Sequence, residues 1–138
     1  MAETIEAELE ALAEDFDVLD DWEDRYRHLI DLGRQLAHLP DALRVDANKV
    51  HGCASQVWLA ADYDAAGRRI WSGDSDAHLV RGLIAIVLRL YNGRDTEAAL
   101  AFDARQALAR LGLNQALSTQ RSNGLNAMIK RIRRDLAA

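Results

Sequence analysis

Cys53 is the only thiol in the 138-residue chain, and it sits in the stretch Lys49-Val50-His51-Gly52-Cys53-Ala54-Ser55-Gln56-Val57-Trp58. With no second cysteine it cannot close an internal disulfide. A single sulfur also falls short of the roughly four protein ligands that structural zinc and iron–sulfur centres take, so no metal site is expected. Two roles remain for it, an inert core thiol or a nucleophile. A free thiol has a pKa near ~8.5 and attacks only as the thiolate, so positive charge from Lys49 or His51 would raise its reactive fraction. His51 fits a solvated loop histidine equally well. Gly52 lets the backbone adopt conformations closed to other residues and lets another segment come close. One chemistry compatible with this group is a cysteine hydrolase using His51 or His78 as base, but no orienting partner or oxyanion-hole motif accompanies it.

The elements around the cysteine suggest a loop entering a strand. Residues 56–63 are rich in β-branched and aromatic side chains, as are 68–73, and Asp64-Ala65-Ala66-Gly67 between them suits a hairpin. A third strand near 43–46 would complete a short antiparallel sheet. Leu9, Leu12, Ala13 and Phe16 share one face of a first helix, and Trp22, Tyr26, Leu29, Gly33 and Leu36 one stripe of a second that ends before Pro40. Asp74-Ser75-Asp76 offers N-cap side chains for a helix over 77–91 that is apolar nearly all round and so belongs in the centre. Gly82 inside that helix costs about 1 kcal/mol relative to alanine, which hints at close packing. Ser118 or Thr119 starts a last helix whose Leu125, Met128, Ile129 and Ile132 face the core. The expected architecture is α+β: one compact domain over 1–138, about three short strands packed with helices.

Composition excludes several classes. Hydrophobic residues make up 49% of the chain, with one proline, as in a compact globular protein rather than a disordered one. The longest apolar stretch, Leu79 to Tyr91, is too short for a membrane span and contains Arg81 and Arg89. No basic start and apolar run marks a signal peptide, and a free thiol suits a reducing, cytoplasmic setting. The net charge of −5 conceals an asymmetry: residues 1–24 hold eleven acids and no base, while the rest carries all 17 basic side chains against 11 acidic ones. An acidic helix packed near a basic C-terminal helix accounts for this, as does steering toward a partner. The basic run Lys130-Arg131-Ile132-Arg133-Arg134 ends a helix, where cations favour the dipole, so nucleic-acid binding is not expected.

Val50-His51-Gly52-Cys53-Ala54-Ser55-Gln56-Val57-Trp58 resembles the cysteine loop of the SufE family, sulfur acceptors in iron–sulfur cluster biogenesis. The likeness continues through Gly73–Ala85 and resumes at Leu111-Gly112-Leu113, Leu117-Ser118 and Arg121–Ile129, in the family's order. Residues 1–20 match least.

The resemblance implies a fold like that of SufE and IscU-type scaffolds, and a role for Cys53 as persulfide acceptor. The partner would be a cysteine desulfurase (SufS-like or CsdA-like) that the protein stimulates, and sulfur would pass on to a cluster scaffold. Desulfuration itself needs an electron sink such as pyridoxal phosphate on a Schiff-base lysine. Only Lys49 and Lys130 are present and neither has a phosphate cradle, so that cofactor is expected on the desulfurase, and none here. A scaffold role is disfavoured by the single cysteine. His51 and Gly52 would support the loop; Arg121 and Asp74 are candidate partner contacts, with helix capping the alternative for Asp74 and an ordinary surface position for Arg121. An exposed persulfide would be lost to small thiols and oxidants, so Cys53 is expected to rest against apolar groups and swing out on docking, with Gly52 as hinge.

Overall fold

The computed structural model describes residues 4–138. In chain order it runs α1 (Ile5–Asp17), α2 (Trp22–Gln35), two 3₁₀ turns (Asp41–Leu43 and Asp46–Asn48), β1 (Val57–Tyr63), β2 (Arg69–Ser75) and α3 (His78–Tyr91). The short helices α4 (Thr96–Ala101), α5 (Ala104–Arg110) and α6 (Leu113–Ala116) follow, and α7 (Thr119–Ala137) closes the chain.

The apolar segment read as central is α3, and its backbone approaches that of α2 so closely that only glycines fit. A methyl group on Gly82 would overlap the carbonyl oxygen of Leu29, and one on Gly33 would lie 2.8 Å from the amide nitrogen of Gly82. The stability given up by Gly82 within a helix is therefore exchanged for backbone-to-backbone packing. The sheet lies on another face of α3 by the same device: a Cβ at Gly73 would sit 2.6 Å from Ile84 Cγ2. β1 and β2 form the expected antiparallel hairpin, from Val57 opposite Ser75 to Tyr63 opposite Arg69. Asp64 Oδ1 accepts the amides of Ala66 and Arg68 at 2.9 Å, and Gly67 takes the positive φ that closes the turn.

Two expectations are corrected. Residues 43–46 are not a strand; the sheet has two strands, supplemented by an isolated bridge between Lys49 and Trp58. Residues 41–47 are all exposed, with no apolar face to bury, and local bonds such as Asn48 Nδ2 to Leu43 O at 2.8 Å favour turns. Nor do Asp74, Ser75 and Asp76 cap α3. β2 runs on to Ser75, and the helix starts after Ala77 with no side-chain cap. Ser75 Oγ accepts the Ala77 amide at 3.2 Å, and Asp76 accepts the Gln56 amide at 3.0 Å.

The acidic first helix packs against α3, and its ion pairs among the described residues go to α3 and α5, not to the basic last helix. Leu12, Ala13 and Phe16 are buried, Glu8 pairs with Arg89 of α3, and Glu10 and Asp17 pair with Arg110 of α5 at 3.3 and 3.1 Å. These residues outside the matching blocks are part of the core, so removing 1–17 takes out a wall of the fold.

Asp74 is 1% exposed, so its carboxylate is not a surface group and the expected partner contact is replaced by an internal one. It pairs with Arg81, itself 5% exposed, and accepts the Leu39 amide at 3.0 Å. Burial pushes the Asp74 carboxyl up, but the Ser75 and Leu39 amides and the Arg81 guanidinium outweigh it and hold it below the usual carboxylate range. The remaining Arg81 donors reach the carbonyls of Gly33 and Leu36. Asp74→Ala leaves a buried guanidinium unpaired and should cost about 3–5 kcal/mol in denaturant unfolding. Because the lowered pKa adds stability above the unfolded value, near ~4, that is lost as pH falls through the folded value, the wild-type advantage should shrink in acid. A stable Asp74→Ala protein with an unchanged acid limb would contradict this.

Candidate functional site

The cysteine loop, residues 51–56, is pinned at its base and at Gln56, whose amide Asp76 accepts, and is held between these only by the long bond from Cys53 to α7. Val50 donates to the Val57 carbonyl at 2.8 Å, and the Lys49–Trp58 bridge lies just outside that bond. From α7, Arg131 donates to the carbonyls of Ala47 (2.9 Å) and Lys49 (3.4 Å), tying the incoming strand of the loop to the last helix. Gly52 has φ +93°, a conformation that L side chains rarely adopt, so the turn that directs Cys53 needs glycine.

That turn lays the half-buried Cys53 on α7 at Gly124. The thiol Sγ–H donates to the Gly124 carbonyl at 3.6 Å, and a Cβ on Gly124 would stand 3.3 Å from Sγ. Around the sulfur is a small cavity of about 20 Å³, walled by the loop and by Val80, Leu83, Leu125 and Met128. Burial pushes the Cys53 thiol up from its ordinary pKa, so the resting state holds it protonated. The expected apolar resting place is therefore what the fold provides.

His51 is exposed and makes no hydrogen bond to Cys53; the sulfur's partner is a backbone carbonyl, which cannot act as a base. His78 is likewise exposed and makes no hydrogen bond to Cys53, so neither Cys–His arrangement of the hydrolase reading is formed here. Arg121 is exposed in the first turn of α7, its amide capped by Ser118 Oγ at 3.3 Å, and it lines the same cavity as Cys53. The fold thus brings Cys53, Gly52 and Arg121 to one place, keeps His51 on the loop's outer side and removes Asp74 to the interior. Among the described residues no group of three or more His, Cys, Asp or Glu gathers as metal ligands, and no helix is long and apolar enough to cross a membrane.

Sequence reasoning missed two contributors. Gly124 carried a signal, a glycine on the apolar face of an amphipathic helix one turn before Met128. Arg131 carried none, because a helical arginine in a basic run looks solvated until the carbonyls it meets are known.

Gly124→Ala adds a methyl group against the sulfur while raising helix propensity by up to about 1 kcal/mol, so α7 should hold and the loop should yield. Iodoacetamide should then alkylate Cys53 several-fold faster at neutral pH, with little change in melting. In the wild type the pH midpoint of alkylation should lie above that of the same thiol in denaturant; coincident midpoints and equal rates would remove the sheltering argument.

A family model for SufE, described as an Fe-S metabolism associated domain, matches residues 10–136. The chain is 48% identical over 132 residues to an uncharacterized SufE-like protein of Rhizobium etli, covering 94% of this chain and 89% of the relative. A second such protein, from Rhizobium meliloti, is 47% identical over 128 residues, 91% of each chain. The solution structure of a hypothetical protein from Thermus thermophilus superposes with a TM-score of 0.75 over 94% of this chain and 93% of that one, at 21% identity, a likeness of fold. With a family match that runs from α1 to the end of α7 and relatives near half identity, the chain belongs to the SufE family and shares its association with Fe-S metabolism.

Proposed function

We propose that this protein is a sulfur acceptor that takes a persulfide from a cysteine desulfurase onto Cys53 and hands the sulfur to iron–sulfur cluster assembly. One observation carries the reading most directly: the lone thiol is held in a small, largely apolar cavity at the end of a glycine turn. A hydrolytic nucleophile would be served by a base beside it, whereas a carrier gains from a resting place that keeps oxidants and small thiols away. The cavity is of the order of one water molecule, room for an atom-sized addition to the thiol and little more.

Transfer is a thiol–disulfide-type exchange. Cys53, deprotonated on leaving its cavity, attacks the terminal sulfur of the donor's persulfide. A new S–S bond forms on Cys53, the donor's S–S bond breaks, and the donor cysteine leaves as a thiolate that takes up the proton. No net oxidation occurs, so no redox partner is required. Desulfuration belongs to the donor, where pyridoxal phosphate supplies the electron sink. Clearing product sulfur from the donor accounts for stimulation of that enzyme. The setting is a reducing compartment such as the cytoplasm, and a scaffold downstream receives the sulfur.

Replacing the thiol with a hydroxyl, Cys53→Ser, leaves a group hardly ionised near neutral pH and unable to carry sulfane sulfur. The variant should fold and bind the desulfurase, gain no sulfur by mass spectrometry after mixing with enzyme and cysteine, and give no stimulation of sulfide release. Unchanged stimulation would remove the proposal.

Arg121 lines the cavity yet has no ion pair among the described residues, which suits a contact made on docking. Arg121→Ala should weaken desulfurase stimulation with the melting temperature within a degree or so, as for surface changes. A fall in melting temperature together with faster Cys53 alkylation would instead make it a brace for the loop.

A further inference from the structure

The other face of the cysteine loop opens onto a wide groove of about 970 Å³ between α4–α5 and α7. Its lining includes His51 and Gly52 of the loop, the cations Arg105, Lys130 and Arg133, and the largely buried Phe102 and Leu108. Its one acid, Asp103, already accepts the amides of Arg105 and Gln106 as the cap of α5. Most arginines elsewhere on the molecule are neutralised. Arg27, Arg34, Arg44, Arg68, Arg89 and Arg110 each have a surface carboxylate partner. Arg25 and Arg69 lie over Trp22 and Tyr63. By contrast, Arg105, Lys130 and Arg133 of the groove, Arg121 of the cavity and Lys49 just before the loop have no carboxylate within ion-pair distance among the described residues. Unpaired cation density is thus concentrated on the two sides of Cys53.

We propose that this groove is the docking site for a segment of the cysteine desulfurase that carries apolar side chains flanked by carboxylates. The inference rests on the sulfur-acceptor reading and adds the surface that reading requires. Taking sulfur means drawing Cys53 out of its cavity, and the donor must stay bound while the loop moves. A segment held in the groove touches the loop at His51 and Gly52, beside the hinge, without occupying the cavity. The cations steer and orient the encounter, and the accessible apolar lining at Leu100, Ala101, Ala127 and Ile129 supplies contact area that water gives up. The donor is favoured over the downstream recipient because the structure holds the bare thiol at rest, and the donor is the partner that meets Cys53 in that state.

The test compares Arg105→Glu/Lys130→Glu with a charge-matched control on α2, Arg27→Glu/Arg34→Glu. Both pairs are exposed, so each variant should fold, checked by melting. Direct binding of each protein to the desulfurases of the source organism is measured by titration calorimetry at low and high salt, beside sulfur loading of Cys53. The groove variant should bind about ten-fold or more weakly, with less salt dependence, and reach normal loading at saturating concentration. The control should stay within about two-fold of wild type, as for exposed charges. Binding of the groove variant equal to that of the control overturns the proposal. So does normal binding with lost loading, which would make the groove a support for the loop. A wild-type dimer in sedimentation that the groove variant abolishes would overturn it too, assigning the groove to a second copy. If the wild type binds a desulfurase but Cys53 gains no sulfur, the acceptor reading falls while the binding comparison still decides the groove; if it binds none, both fall.

Discussion

A guanidinium in a protein interior must be given acceptors, and the arrangement around Arg81 is built to supply them. Asp74 comes from the end of β2, and the carbonyls of Gly33 and Leu36 from the end of α2 and the residue after it. One side chain therefore binds helix, helix and strand at a point where none of the three could shift without exposing an unpaired charge. The same carboxylate orients the chain after α2 through the Leu39 amide and stands opposite Trp58 in the sheet, two residues beyond the loop. The rigid frame from which the cysteine loop hangs is set there.

Against that frame, the restraint on Cys53 is slight. The sulfur makes one long hydrogen bond and some apolar contact, while the base of the loop is held by a backbone bond, a bridge and two bonds from Arg131. Weak sulfur hydrogen bonds and a small cavity contribute little, so moving the thiol costs much less than moving its anchors. Burial lowers the thiolate fraction at rest, and reactivity returns with exposure. In the proposed sulfur-acceptor reading, sheltering and release are one equilibrium, centred on Cys53 where it follows the Gly52 turn and packs on Gly124 of α7.

Charge is distributed along the same division. Three carboxylates of α1, Glu8, Glu10 and Asp17, pair with Arg89 and Arg110, which fastens the acidic end of the chain to the body and leaves the bases round the loop without these partners. The sequence asymmetry is thus partly an internal matter. Its functional residue is the set of bases that no acid among the described residues reaches.

Much of this was legible in the residues. Alternation and turn chemistry located β1 and β2, because a hairpin is a local structure with its own signals, and the apolar run of α3 could only be central. The cysteine segment, with its glycine and its place before a strand, marked the site. What no local pattern carried was the fate of polar groups with distant partners. Asp74 looked like a cap and residues 43–46 like a strand, since local preference is all a sequence offers; a buried arginine seven residues on claimed the first, and the want of any apolar face to bury turned the second into helical turns. Sequence by itself determined the hairpin and the four longer helices and pointed to the one thiol as the candidate for chemistry. Only the tertiary structure decided that the atom lies sheltered on Gly124 rather than activated by His51, because protonation and access depend on what long-range packing places beside the sulfur.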